Sequence, residues 1–203
     1  YLVCATRGER GWDTDAQDFP GLEGLGKIRE AELLRAARVL GLQRVDFLDY
    51  IDGELNQADS WQAIDKISNT IRLVRPQVVI TFGPDGSYGH PDHIVISQLT
   101  MAAIVCATDT SCPDDDLLPA HRVSKLYYMM DTRELWEQFE KATGEINMEV
   151  DGILRQPVMW EDWAITARID GCDYWRAALD AVLCHKSQTS SYGDLRRFPD
   201  EQQ

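Results

Sequence analysis

No Cys-x-x-Cys pair occurs in this 203-residue sequence. Its five cysteines, Cys4, Cys106, Cys112, Cys172 and Cys184, are odd in number and scattered, which argues against a disulfide framework and against a thiolate zinc site. Any metal would have to be held by histidine and carboxylate. No apolar run approaches the roughly 18 to 20 residues needed to span a bilayer, and the opening YLVCATRGER lacks the basic, apolar, small-residue order of a secretion signal. No membrane association and a cytoplasmic location are therefore expected. Basic side chains are the scarcer sign: 20 Lys and Arg against 34 Asp and Glu leave a formal charge of −14. With no Lys/Arg stripe to reverse that charge locally, a phosphate backbone would be repelled, which argues against nucleic acid as a partner. Repeats and low-complexity linkers are absent too, so a single domain over 1–203 is expected. Nothing sets the oligomeric state, and a homo-oligomer stays open. What is present, 44% hydrophobic and 27% charged residues, is the composition of a chain that folds.

Periodicity places the elements. YLVCAT is apolar and β-prone, and the glycines of RGERGW end it. Residues 25–40 carry Leu25, Ile28, Leu33, Ala36, Ala37 and Leu40 near helical spacing, with Gly41 as terminator. RVDFLDY reads as a strand ending near Tyr50. Trp61, Ile64, Ile67, Ile71 and Val74 then mark a helix that stops before Pro76. QVVITF is short and β-branched, as expected of a parallel strand buried on both faces, and helix resumes around Ile94 to Ala107. Strand alternating with helix in this order predicts an α/β fold with a mostly parallel sheet. Further on, KLYYMM and WAITARI read as strands, DYWRAALDAVLCHK as a helix, and PDDD at 113–116 as a solvated loop without the spaced ligands of a calcium site.

In open parallel sheets ligands sit outside the carboxyl ends of the strands, and three polar loops, TRGERG, DYIDGEL and GPDGSYGHPDH, fall at that edge. The third is the densest in chemistry. Pro91 disfavours helix at His90, while Asp92 is placed to cap a helix beginning at His93, so the two rings need not share a face. An imidazole in the first helical turn is kept neutral by the macrodipole, the form that binds metal, which makes His93 the ligand candidate. His90 could exchange a proton or bond an oxyanion, Tyr88 offers a phenolic donor, and Asp92 or Asp85 could orient a ring. The bland alternative is a turn-rich connection with solvated histidines. GLEGLG at 21–26 has the wrong glycine order for a dinucleotide fingerprint, and His185 reads by default as a helix-end histidine.

Taken together, CATRGE at 4–9, LGKIREAEL at 25–33, FLDYIDGEL at 47–55, VVITFGPDGSYGHPDH at 78–93 and HKSQ at 185–188 resemble the LmbE-like (PIG-L) de-N-acetylase family. The resemblance implies a Rossmann-like three-layer α/β fold and a zinc-dependent hydrolase, other divalent ions such as Fe2+ also serving, that removes acetyl from N-acetylglucosamine-type conjugates. It implies His93 as a zinc ligand, His90 in oxyanion stabilisation or acid catalysis, Tyr88 at the same carbonyl, and Glu9, Arg29 and Asp52 as substrate contacts; Asp92, from its place between the two histidines, is counted with His90 and Tyr88 as a catalytic candidate. The family also opens with a strand and a His-Pro-Asp-Asp segment that supplies two more zinc ligands and the carboxylate base. Nothing like it precedes Tyr1, so the sequence is expected to begin inside the domain. Two other readings remain: a degenerate member that binds sugar without cleaving it, and another metallohydrolase such as a phosphoesterase.

Overall fold

The computed structural model describes residues 1–12, 18–112, 118–143, 148–150 and 152–189; the PDDD segment lies outside them. The chain forms two compact units, one built from Tyr1–Asp52, Glu134–Ile146 and Asp162–Gln203, the other from Gly53–Arg133 and Asn147–Glu161.

In the first unit, β1 (Leu2–Cys4) pairs in parallel with β2 (Val45–Phe47), and the crossover is α1 (Leu22–Val39). The expected Gly41 terminator is present: at φ 68° it closes a Schellman motif, with Gly41 N–H donating to the Arg38 carbonyl and Leu42 N–H to that of Ala37. α1 buries Leu25, Ala36 and Ala37 and packs against α6 (Trp175–Val182) and α7 (Lys186–Thr189). The predicted helix at 173–186 is therefore α6, ending in a turn before α7. WAITARI is not a strand: Asp162–Ala164 forms a 3-10 turn and the rest has no regular structure. Trp163 and Ile169 stand 86% and 78% exposed, so this segment has no sheet against which a β pattern could pack.

In the second unit, β3 (Val78–Phe82) pairs in parallel with β4 (Lys125–Met129) in full register from Val78↔Lys125 to Phe82↔Met129. Asp59 caps α2 (Ser60–Val74) by accepting from Trp61 N–H at 2.9 Å and Gln62 N–H at 3.1 Å. Arg75, at φ 54°, ends the helix before Pro76. After β3 come a short turn of helix, α3 (Gly86–Gly89), and the long α4 (Pro91–Thr108). β3 is not buried on both faces as its composition suggested. Val78 and Ile80 are exposed while Thr81 is buried, because alternate residues of a strand point to opposite faces and one of them lacks a covering layer among the described residues. Also not anticipated were α5 (Arg133–Thr143), with Trp136 buried, and the antiparallel pair β5 (Met148–Val150) and β6 (Ile153–Arg155). An Asp-Gly turn signal at 151–152 was there to be read for the second.

α2 packs along α4, burying Ala63, Ile67 and Ile71 of one helix and Leu99, Ala103 and Ala107 of the other. A guanidinium closes this contact. Arg72 is 3% exposed, and it donates to the carbonyls of Cys106 at 3.0 Å, Ala107 at 3.3 Å and Asp109 at 2.7 Å, adding charged donors at the α4 C-terminus, where Cys106 and Ala107 also accept from Asp109 N–H and His121 N–H. Replacing Arg72 with Met keeps an apolar stem but strips these donors, and urea unfolding should show a loss of about 2–4 kcal/mol. A loss below about 0.5 kcal/mol would mean that water caps the helix equally well.

Candidate active site

The second unit carries His90 and His93. β3 ends at Phe82, and a tight turn follows. A Cβ on Gly86, at φ 70°, would meet Cγ1 of Ile94 at 2.7 Å and its backbone nitrogen at 3.1 Å, so only glycine lets the loop lie this close to α4. Asp85 Oδ2 accepts from Ser87 N–H at 3.1 Å. α4 begins at Pro91 rather than near His93, and its N-cap is His90 rather than Asp92. The physical reason is that proline is preorganised for the first helical position, while His90, held extended before it at ψ 127°, offers a ring nitrogen in place of a capping oxygen.

That choice sets both imidazoles. His90 Nδ1 accepts from Asp92 N–H at 3.1 Å, so it carries no proton and the N–H of the ring is on Nε2. His93, three residues into the helix, lies 3.2 Å by its Nδ1 from the Gly86 carbonyl. A carbonyl only accepts, so here Nδ1 holds the proton and Nε2 keeps a free lone pair. Burial, reinforced by neighbouring His90, pulls the His93 pKa down from 6.5 to about 4, which keeps the ring neutral at pH 7. Phe82 stacks on it at 3.9 Å and 8°. The two histidine rings, which the Pro91 argument left free to diverge, lie 4.7 Å apart at 29°. Tyr88 stands edge-on to both, at 5.8 Å from His90 and 5.3 Å from His93. One ring thus offers a lone pair and its neighbour an N–H. Phe82, the platform under His93, escaped the sequence reading because it looked like one more apolar strand residue; its place as the last residue of β3 was the available signal.

Asp92 is spent otherwise than expected. Its carboxylate is 6% exposed, with Oδ2 accepting from Gly53 N–H at 2.8 Å and Oδ1 from Leu55 N–H at 3.1 Å. It fastens the turn that follows Asp52, and it is its main-chain N–H, not its carboxylate, that meets the His90 ring.

The first unit gathers Glu9, Arg29 and Asp52. Glu9 accepts from Asp52 N–H at 3.0 Å and from Arg7 N–H at 3.2 Å, and Asp52 in turn accepts from Arg10 N–H at 3.2 Å. Arg29 donates to the carbonyls of Gly8 and Gly11. A Cβ on Gly8, at φ 68°, would sit 2.5 Å from Arg29 Nη1. Burial pulls the guanidinium pKa down while Asp52, Glu32 and Glu9 oppose that. Arg29 therefore shapes the loop that presents Glu9. The HKSQ segment is held by a residue the sequence reading passed over: Glu32, 2% exposed, accepts from Ser187 N–H at 2.9 Å and Ser187 Oγ at 2.7 Å. Half-buried His185 has its pKa lowered by burial, with Glu32 opposing.

Among the described residues no group of three or more His, Cys, Asp or Glu could hold a metal ion. A catalytic zinc takes three protein ligands. The neutral ring of His93, with Nδ1 engaged and Nε2 unprotonated, fits one of those ligands.

The depressed His93 pKa has a stability consequence in metal-free protein. Between pH 6.5 and about 4 the unfolded chain binds the proton and the folded chain does not, so stability must fall as pH is lowered through that window. Discounted for the ring's partial exposure, the effect should reach no more than about 2 kcal/mol. Urea unfolding of the chelated protein at pH 7 and pH 5 measures it, and His93→Gln should abolish this component.

Comparison with known proteins meets this geometry. The family model of the GlcNAc-PI de-N-acetylases (PIG-L) matches residues 1–104, a span that holds every residue of the two clusters just described except those at 185–187. The 1D-myo-inositol 2-acetamido-2-deoxy-alpha-D-glucopyranoside deacetylase of Thermobifida fusca is 34% identical over 95% of this chain and 74% of its own length. A deacetylase of the same name, numbered 3, from Catenulispora acidiphila is 29% identical over 94% of this chain and 66% of its own. Among solved structures, the N,N'-diacetylchitobiose deacetylase of Pyrococcus horikoshii covers 98% of this chain with 60% of its own length, at TM-score 0.62 and 21% identity, a likeness of fold. The parallel strand pairs and interleaved helices are those of this Rossmann-like α/β fold, and the chain belongs to the GlcNAc-PI de-N-acetylase (PIG-L, LmbE-like) family.

Proposed function

We propose that residues 1–203 act as one LmbE-like domain of a zinc-dependent de-N-acetylase, which hydrolyses the acetamide of an N-acetylglucosamine conjugate to acetate and a free amine. The observation that carries this reading is the pair of adjacent imidazoles, His90 Nδ1 accepting from Asp92 N–H and His93 Nδ1 on the Gly86 carbonyl. The names of the relatives support the substrate class, with an N-acetylglucosaminyl-inositol as the first candidate. The family's members are generally metal-dependent.

His93 would hold the metal through Nε2. A bound zinc, or Fe2+ in its place, supplies Lewis-acid polarisation of the acetamide carbonyl and a water of lowered pKa. The chain's own residues do the rest. As water adds to the acetamide carbon, the carbonyl oxygen gains negative charge, and the His90 Nε2–H is the donor suited to receive it. Tyr88 adds a phenolic donor at the same oxygen. Collapse of the tetrahedral species breaks the C–N bond as the proton given up by the attacking water is returned to nitrogen, carried by the carboxylate base that the family resemblance implies, while His90, its Nδ1 engaged by Asp92 N–H, stays a hydrogen-bond donor to the oxyanion. Glu9 and Asp52 would accept from sugar hydroxyls, and Arg29 holds the Glu9 loop in shape through the Gly8 and Gly11 carbonyls. Asp92 supports His90 through its backbone.

Metal analysis and acetate release by the intact protein test this. His93→Ala should lose stoichiometric zinc, and His90→Ala should retain zinc while kcat on N-acetylglucosaminyl-inositol falls about 10²–10³-fold. Zinc retained by His93→Ala would remove that residue from the ligand set. Sugar binding without any acetate release by the wild type would favour the non-cleaving reading.

A further inference from the structure

The residue just before Tyr88 has a backbone conformation that a side chain resists. Ser87 lies at φ 66°, ψ −73°, the geometry of the γ-turn with positive φ, which is rare and strained for any residue bearing a Cβ. Such a conformation persists only where its surroundings over-determine it, and three ties meet here. Ser87 Oγ donates to Asp131 Oδ2 at 2.6 Å. The Ser87 carbonyl accepts from Val158 N–H at 2.8 Å. Arg155 Nη1 donates to the Gly89 carbonyl at 2.6 Å. Asp131, which follows β4, is itself fixed by Trp160 N–H at 2.9 Å, and Thr132 bridges to Trp160. Residues 155–160, emerging from β6, therefore run along both the Tyr88 turn and the end of β4, all inside the second unit. Gly89, at φ 75°, has Arg155 Nη1 only 3.4 Å from where a Cβ would be.

We propose that Arg155, with the 155–160 arm and the Ser87–Asp131 pair, is a positioning clamp that holds the Ser87–Gly89 turn so that Tyr88 stays edge-on to His90 and His93. Arg155 is a positioning residue: its bond is to the Gly89 carbonyl, one peptide from both Tyr88 and His90. The proposal rests on the reading of Tyr88 as a donor to the reacting carbonyl. It extends the site to residues some seventy positions later in the chain, in a hairpin arm that the sequence motifs did not mark.

The test uses the full chain with 3-fluorotyrosine placed at position 88. Wild type should show one narrow fluorine resonance, and Arg155→Met should broaden, split or shift it with bound metal unchanged. Ser87→Ala, a milder lesion, should move it in the same way. On N-acetylglucosaminyl-inositol, Arg155→Met should lower kcat by about 10-fold or more with KM within about threefold, the pattern of a group that acts in the transition state rather than in substrate binding. Because Arg155 acts through Tyr88, Arg155→Met combined with Tyr88→Phe should be no slower than Tyr88→Phe alone. An unmoved resonance in both clamp variants, or losses that multiply in the double variant, would overturn the proposal. Should the wild type release no acetate, the deacetylase reading fails, and the fluorine resonance still decides the clamp.

Discussion

The hydrogen bond between His93 Nδ1 and the Gly86 carbonyl is the constraint on which the rest of the candidate site depends. It places the proton on one nitrogen of a buried ring and leaves the other as a base. It also dictates the backbone: the carbonyl reaches the ring only because Gly86 adopts a positive φ against Ile94, where any larger residue would be pushed off α4. With that carbonyl engaged, the chain must still turn into the helix within four residues, and it does so through the strained Ser87 and through His90 as N-cap. Tautomer, turn and helix start form one connected arrangement. Burial of the ring costs the cationic form and outweighs the Gly86 bond, which on its own would raise the pKa.

A second theme is how much of the acidic and basic complement is spent on main-chain groups. Asp92 secures Gly53 and Leu55, Glu9 secures Arg7 and Asp52, Glu32 secures Ser187, and Arg29 and Arg72 hold carbonyls. Loop backbones cannot satisfy their own donors and acceptors as helices and strands do, so side chains must. For a loop-built site this is what makes position reproducible: charged groups bonded to backbone act as pins.

Much of the architecture was legible in advance, for reasons that can be named. Apolar residues at helical spacing marked α1 and α2, and the β-branched run marked β3, because those periodicities are consequences of local geometry. WAITARI misled because its apolar residues have β character but no partner strand, and strand formation is a property of pairs rather than of segments. The exposed Val78 and Ile80 show the same thing for a true strand: composition announces what a strand can bury, not what arrives to cover it. α5 and the β5–β6 hairpin went unseen because three-residue strands and a heavily charged helix carry little periodic signal, although Asp151-Gly152 was a turn signal in plain view.

The chemistry divides along the same line. The amino-acid sequence by itself determined the class of fold and, through its motifs, the family, and it singled out His90, His93, Tyr88, Glu9, Arg29 and Asp52 as site candidates, since residue type, order and helical or strand period are local properties of the chain. Only tertiary structure decided that the two imidazoles lie ring to ring with opposite tautomers, that the Asp92 carboxylate faces a distant turn, and that Arg155 reaches back to Gly89. Those outcomes depend on which donor meets which acceptor once far-separated segments are packed and desolvated, and no local rule specifies that pairing.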